Sequence, residues 1–205
     1  MDSELLLSIH QQNPWLQSQE SLVSLISSEF IDYIDRLQSE FLEKEDWDSL
    51  WSILIGPRQS GKTTLGKYLC NQLITKKRYT QLLYLNCDYS SIRQWLSSAT
   101  FLSEAQEVFG LKNFFLFIDE VQRLESPGLL LKIIADLKLP IKMIASGSSG
   151  LEIKSKVSEH LTGRQLTTLI YPLSCTEIPF DKCYEQILLY GSYPQVYLAK
   201  EKNTF

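Results

Sequence analysis

The sequence predicts an α/β fold in which a parallel, five-stranded sheet is sandwiched by helices. Two observations support this prediction. Short apolar runs typical of buried strands alternate along the chain with longer segments of helical period. A glycine-containing loop also separates the first of these runs from the helix that follows it. This alternation favours a parallel sheet covered on both faces, because each crossover helix packs back onto the sheet.

The predicted strands are short runs rich in Ile, Leu and Phe, as expected of strands that are buried on both faces. They are Trp51–Ile55, Gln81–Asn86, Phe114–Ile118, Ile141–Ser146 and Gln165–Tyr171. In the helix after the loop, Leu65, Leu69 and Leu73 recur every four residues beside Tyr68. The other predicted helical or mixed segments are Ser91–Phe109, Gly128–Lys138 and Leu151–Leu161.

The two ends of the chain differ from this core. Residues 1–19 are polar and predicted to be irregular, whereas Ser21–Glu43 has an apolar stripe that predicts a helix packed on the core or on a partner. Beyond Pro172, a helical segment at Lys182–Tyr190 is too short to bury a core of its own. We therefore expect an N-terminal linker and helix over 1–49, the α/β core over 50–172, and the start of a truncated helical domain over 173–205.

Composition and charge narrow the possible function. The 205 residues carry a net charge of −4, which gives no electrostatic footprint for nucleic acid. Four cysteines without a C-x-x-C pair and two histidines argue against a zinc site and indicate free thiols in a reducing compartment. The N-terminus lacks the features of a signal peptide, and the apolar run Phe114–Ile118 is too short to span a bilayer. We expect a cytoplasmic protein without a membrane partner.

The loop at residues 56–63 reads GPRQSGKT and matches the phosphate-binding pattern G-x-x-x-x-G-K-[ST]. In such a loop, backbone N–H groups and the positive end of the helix dipole converge on phosphate oxygens. Lys62 should reach the β- and γ-phosphates, and the Thr63 hydroxyl should ligate Mg²⁺. A structural turn without a ligand is the alternative. The candidate nucleotide-binding residues are Gly56, Pro57, Arg58, Gln59, Ser60, Gly61, Lys62, Thr63 and Thr64.

The apolar run that begins at Phe114 ends in two carboxylates, Asp119 and Glu120. The first should lie at the carboxyl edge of the sheet, where it can hold Mg²⁺ directly or through water. Glu120 could orient and deprotonate an attacking water. Alternatively, Asp119 caps the next helix and Glu120 is a solvated acid in its first turn. The acidic pair favours hydrolysis over transfer of a phosphoryl group to a small molecule.

Two further polar positions fall at the same edge of the sheet. Ser146 and Ser148 follow the fourth strand, so either hydroxyl could reach the γ-phosphate or the water, although a plain turn that caps the next helix is also compatible. Arg164 follows Gly163, the C-cap of a predicted helix. It is either a surface charge or an arginine supplied to the phosphate of a neighbouring subunit.

These stretches together resemble the prokaryotic AAA+-type ATPases, whose ATPase module is usually followed by an uncharacterised C-terminal domain. The matching stretches, which occur in the order of the family, are NPW at 13–15, GPRQSGKTTL at 56–65, FLFIDEVQRL at 115–124, ASGSSGLEI at 145–153, LTGR at 161–164, YPLSCTE at 171–177 and YGSYP at 190–194. The resemblance implies the strand order 5-1-4-3-2, ATP rather than GTP, and Walker A and Walker B motifs. It places the sensor position of the family on Ser146 or Ser148.

The resemblance also has gaps. The remainder of the helical lid and the C-terminal domain would lie beyond Phe205, so an arginine from that lid is not assigned. The sequence predicts a Mg²⁺-dependent ATPase that couples ATP hydrolysis to a conformational change on a partner or through self-association. A nucleotide-dependent switch or scaffold with negligible hydrolysis is the alternative. A small-molecule kinase would need an acceptor-binding lid, and a GTPase would need an N-K-x-D signature; neither is found in the sequence.

Overall fold

In the computed structural model, residues 1–17, 51–75, 81–137, 139–148, 165–178 and 180–199 are described. Five strands form one sheet: β1 (Trp51–Ile55), β2 (Gln81–Asn86), β3 (Phe114–Asp119), β4 (Ile141–Gly147) and β5 (Gln165–Leu169). All the strand pairs are parallel, and the order is β2-β3-β4-β1-β5. This is the predicted order counted from the opposite edge of the sheet, so the fold class and the topology are confirmed.

The described part of the chain contains seven α-helices. They are α1 (Ser3–Gln12), α2 (Lys62–Thr75), α3 (Ser90–Leu96), α4 (Phe101–Phe109), α5 (Pro127–Asp136), α6 (Phe180–Tyr190) and α7 (Pro194–Leu198), with short 3₁₀ turns at Pro14–Leu16 and Val121–Arg123. The predicted helices at Ser21–Glu43 and Leu151–Leu161 lie outside the described residues.

The two faces of the sheet carry two separate hydrophobic clusters. Successive side chains of a strand point to opposite faces, and β3 shows the result, since all six of its residues are buried. Leu116 and Ile118 face a cluster that includes residues of α1, α3, α4 and α5. Phe115 and Phe117 face a second cluster formed with α2. A strand buried on both faces reads as a continuous apolar run, which explains why the sequence predicted β3 well.

One predicted segment between β2 and β3 divides into two helices. Ser91–Phe109 was expected to be helical or mixed, and the structure ends α3 at Leu96 and begins α4 at Phe101. The hydroxyl of Ser97 donates to the carbonyl of Arg93 at 2.9 Å. The Ser98 side chain accepts from the backbone N–H of Thr100 at 3.3 Å. Such local bonds compete with the helical pattern and favour a turn.

The expectation that residues 1–19 are irregular is wrong, because this segment contains α1 and a 3₁₀ turn. The Asp2 carboxylate caps α1 by accepting from the Leu5 N–H at 2.7 Å. Leu5 and Ile9, four residues apart, are buried against the core, and Trp15 in the turn is also buried. Leu6 and Leu7 are apolar too but are not buried, so the apolar residues of this segment show no clear helical period from which the helix could be predicted.

The same segment covers the outer edge of β2, an edge strand of the sheet. Three side chains, from Gln12, Asn13 and Trp15, bond to alternate residues of that strand; we call them the N-terminal clasp. The bonds run from Asn86 N to Gln12 Oε1 (2.8 Å), from Tyr84 N to Asn13 Oδ1 (2.7 Å), from Asn13 Nδ2 to Tyr84 O (2.8 Å) and from Trp15 Nε1 to Leu82 O (2.8 Å). Side-chain amides and an indole thus take the place of a neighbouring strand.

Candidate nucleotide-binding site

The phosphate loop connects β1 to α2 at the carboxyl edge of the sheet, and its backbone requires special residues. A Cβ on Gly56 would lie 1.9 Å from the Ile170 carbonyl oxygen, so only glycine fits there. Gly61 has a φ of 91°, a torsion that glycine adopts without steric cost. Gln59 adopts a left-handed φ of 62°, which is uncommon for a residue with a side chain. The close approach at Gly56 and the torsion at Gly61 are the roles that glycine has in a phosphate-binding loop.

The helix that follows the loop packs very close to the sheet. Gly66, in the second turn of α2, faces the ring of Phe117, and a Cβ there would lie 2.5 Å from the ring. Leu65 and Leu69 are fully buried on the same helix, as predicted. Sequence reasoning did not single out Gly66, although a glycine inside a helix is a signal of close approach.

Lys62, the first residue of α2, is only 4% exposed. Its Nζ donates a hydrogen bond to the Pro57 carbonyl at 2.8 Å, so the side chain folds back over the loop. Burial lowers the pKa of Lys62 from its usual value. The carboxylates of Glu120 and Asp119 oppose this shift, and Arg58 adds to it. The loop therefore holds a cation over its own carbonyl, at the position where the motif places phosphate.

Asp119 ends β3 and is only 2% exposed. Its Oδ2 accepts hydrogen bonds from the Thr63 hydroxyl at 2.7 Å and from the Tyr84 hydroxyl at 2.9 Å. Its Oδ1 accepts from the Ser146 hydroxyl and from the Glu120 N–H at 3.1 Å. Three residues that the sequence nominated separately, Thr63, Asp119 and Ser146, are thus in direct contact.

Glu120 has a φ of 56° and a ψ of 43°, a left-handed conformation that turns the chain after β3. It precedes the 3₁₀ turn Val121–Arg123 but makes no side-chain capping bond to it. The Gln122 amide instead donates to Glu120 Oε2 and, at 3.0 Å, to the Ser148 hydroxyl. Gln122 therefore connects two candidate residues that the sequence could only place at the same edge.

Sequence reasoning missed two residues at this site, Tyr84 and Gln122. Tyr84 is 7% exposed and carries the one hydroxyl in the strand QLLYLN, and a hydroxyl in a buried strand needs a hydrogen-bonding partner. That signal could have been read from the sequence, but the identity of the partner could not. Gln122 lay within the FLFIDEVQRL stretch but gave no signal of its own.

The other candidate residues of the loop differ in their exposure to solvent. Four of them are exposed along the loop and at the start of α2: Pro57, Arg58, Gln59 and Thr64. Ser60 is buried. Arg164 lies outside the described residues.

The oxygen atoms around Asp119 suit a hard divalent cation. A threonine hydroxyl and a carboxylate are ligands that Mg²⁺ accepts, and Mg²⁺ usually keeps water and phosphate oxygens as its other ligands. Within the described ranges, no three His, Cys, Asp or Glu side chains are grouped so that they could hold a metal alone. A Mg²⁺ ion at Thr63 and Asp119 would thus depend on a bound phosphate group.

No helix in the described part of the chain is both long and apolar enough to cross a membrane.

The solved structures that this chain resembles include point mutants of the RuvB protein of Thermotoga maritima. One aligns at 16% identity with a TM-score of 0.49 and covers 71% of this chain and 49% of that chain. Another aligns at 18% identity with a TM-score of 0.47, with coverages of 71% and 48%. This chain therefore spans about half the length of those proteins. A comparison with curated proteins finds no match.

A family described as an AAA domain matches residues 48–179. This stretch contains the phosphate loop, the carboxylates that follow β3 and the hydroxyls that follow β4. It covers well over half of the chain, and the protein belongs to the AAA domain family of P-loop ATPases.

Proposed function

We propose that the protein is a Mg²⁺-dependent ATPase that converts ATP hydrolysis into a conformational change on a partner. Membership of the AAA domain family supports nucleotide-dependent ATPase activity in general. The observation that carries the finer proposal is the contact of Thr63 and Ser146 with Asp119 beside Lys62. A cation, two oxygen groups of the kind that Mg²⁺ accepts and a further hydroxyl lie together there, which supports the proposal that they bind phosphate, hold Mg²⁺ and sense the γ-phosphate.

On this proposal, ATP binding draws Lys62 away from the Pro57 carbonyl and onto the β- and γ-phosphates. Thr63 and Asp119 would hold Mg²⁺, which neutralises charge on the phosphates. Glu120 then orients a water molecule and accepts its proton as the water attacks the γ-phosphorus. Ser146 would respond to the loss of the γ-phosphate, and its bond to Asp119 supports this role.

A pair of variants tests this function. We expect Lys62→Ala to weaken ATP binding by about one to two decades, because a charge-assisted phosphate contact is worth about 1.5–3 kcal/mol. We expect Glu120→Gln to keep ATP and Mg²⁺ bound but to slow hydrolysis about 10²- to 10⁴-fold, since the amide cannot take the proton. Calorimetry measures the first effect and phosphate release the second. Unchanged ATP binding by the Lys62→Ala protein would contradict the assignment of the loop.

A nucleotide-dependent switch with negligible hydrolysis is the second candidate, and one observation favours it. The Gln122 amide occupies Glu120 Oε2, so this carboxylate is already engaged by the protein. If a nucleotide complex keeps that bond, the base does not reach water. The same phosphate-release assay separates the two functions: a parent protein that binds ATP but releases phosphate no faster than Glu120→Gln is a switch.

A further inference from the structure

Tyr84 connects the carboxylate at the centre of the site to the outer edge of the sheet. Its hydroxyl donates to Asp119 Oδ2 at 2.9 Å, and both groups are almost fully buried. Its backbone N–H and carbonyl both bond to the Asn13 side chain of the N-terminal clasp. Tyr84 thus joins Asp119 to the N-terminal clasp, although the two lie far apart in the sequence.

The ring of Tyr84 has little freedom to move. It packs edge-on against Phe117 with 5.2 Å between the ring centroids. The Lys67 ammonium group lies 4.8 Å from the centroid of the Tyr84 ring. The Asn13 bonds hold its backbone on the other side. A buried phenol whose ring and backbone are both held presents its O–H in one direction, and here that direction is Asp119.

We propose that Tyr84 is a positioning residue that fixes the Asp119 carboxylate in the orientation needed to hold Mg²⁺. The inference rests on the proposed function of this site. Thr63 and Ser146 also donate to Asp119, but both belong to the side of the site where nucleotide would lie. Tyr84 belongs to β2, a strand that carries none of the candidate nucleotide-binding residues. Partners of this kind orient metal ligands, and losing one usually weakens metal binding about 10- to 100-fold.

A purely structural role predicts a different result. If Tyr84 only filled space and stabilised β2, its loss would lower the stability of the protein and would weaken nucleotide binding equally with and without Mg²⁺. A positioning role predicts a loss confined to the metal. Tyr84→Phe is the appropriate change, because it removes one hydroxyl while it keeps the ring that packs on Phe117.

The test is calorimetry of ATP binding to the full chain, first in EDTA and then across a Mg²⁺ titration. For Tyr84→Phe we expect ATP affinity in EDTA within about twofold of the parent and a Mg²⁺ half-saturation raised about tenfold. Trp15→Phe is the matched control. It loses the bond to the Leu82 carbonyl on the same strand edge but does not contact Asp119, so its Mg²⁺ half-saturation should equal that of the parent.

Each outcome has a distinct meaning. A parent protein whose ATP binding does not depend on Mg²⁺ would overturn the proposed function and this inference together. A Mg²⁺-dependent parent with an unchanged half-saturation in Tyr84→Phe would overturn the role of Tyr84 alone. Equal weakening in EDTA and in Mg²⁺, or a matching shift in Trp15→Phe, would show that the contact is structural. Thermal melts of all three proteins establish that each one is folded at the temperature of the titration.

Discussion

The burial of Lys62, a candidate phosphate-binding residue, acts against stability in the ligand-free protein. Its pKa is lowered by burial, so between the lowered value and the usual 10.5 the folded protein binds fewer protons than the unfolded chain. The contribution of Lys62 to stability therefore rises with pH across this interval, because a proton leaves the buried ammonium group before it would leave the unfolded one. The cost of burying the charge is fully present only below the lowered pKa.

We predict that replacing this charge removes that pH dependence. In Lys62→Met the side chain no longer titrates, so the free energy of unfolding of the parent should rise relative to the variant as the pH approaches 10.5. Urea unfolding curves of both proteins at a series of pH values measure the difference. Parallel pH profiles would contradict the burial argument. Lys67, on the same helix, shows no such burial and serves as the control position in Lys67→Met.

Gly66 decides between two opposing effects on α2. Helix propensity alone favours Gly66→Ala by about 1 kcal/mol. The new Cβ, however, would lie 2.5 Å from the ring of Phe117, which is fully buried. Overpacking of this kind costs about 1–3 kcal/mol, so we expect the clash to prevail.

The expected result is a lower free energy of unfolding for Gly66→Ala, measured by urea denaturation. Thr64→Ala, at an exposed position of the same helix, provides the control and should change stability by no more than about 0.5 kcal/mol. A stabilised Gly66→Ala protein would mean that α2 can move away from β3 at little cost.

The N-terminal clasp makes a prediction for β2 as an element. Asn13→Ala removes the groups that pair with Tyr84 N and Tyr84 O, and both bonds are buried. We expect a loss of at least about 2 kcal/mol in the free energy of unfolding, since each buried polar group left unpaired costs about 1–3 kcal/mol. Urea denaturation measures it. Gln11→Ala, exposed on the same segment, should have almost no effect, and a similar loss there would refute the role of the clasp.

The strands could be predicted from the sequence because buried strands consist of short runs of apolar residues. β3 is buried at all six positions, and its apolar letters are continuous up to Asp119. The position of the site could also be predicted, because the close approach at Gly56 and the positive φ at Gly61 require glycine and so leave a recognisable pattern in the sequence. The first helix was missed for the opposite reason: Gln12 and Asn13 look like loop residues, and only the distant strand shows what they bind.

The contacts within the site could not be predicted for a similar reason. The hydroxyl of Tyr84 and the carboxylate of Asp119 are 35 residues apart, and their meeting depends on the register of β2 against β3. The bond from the Gln122 amide to Glu120 depends on the left-handed turn at Glu120, and no pattern of residues in the sequence predicts that turn. The extent of the N-terminal linker, the core and the C-terminal helical domain stays a prediction.

For the whole molecule, the interpretation in which Arg164 is supplied to a neighbouring subunit predicts that hydrolysis depends on assembly. An arginine supplied to the phosphate of a neighbour is worth about 10³- to 10⁵-fold in rate. We therefore expect the specific activity to rise with protein concentration. Mixing Arg164→Ala with Lys62→Ala should restore part of the turnover, because each protein supplies the group that the other lacks. Phosphate release across a dilution series measures both effects; specific activity that is independent of concentration, without recovery on mixing, would refute a trans-acting Arg164.

The N-terminal clasp has a practical consequence for work with this protein. The family match begins at residue 48, so a shortened protein cut at that boundary would lack Gln12, Asn13 and Trp15. Its β2 would then present open N–H and C=O groups along one edge, a template on which other chains add as strands. We expect such a fragment to aggregate even with every candidate nucleotide-binding residue in place. A recombinant fragment intended for biochemistry should therefore keep α1 and the turn after it.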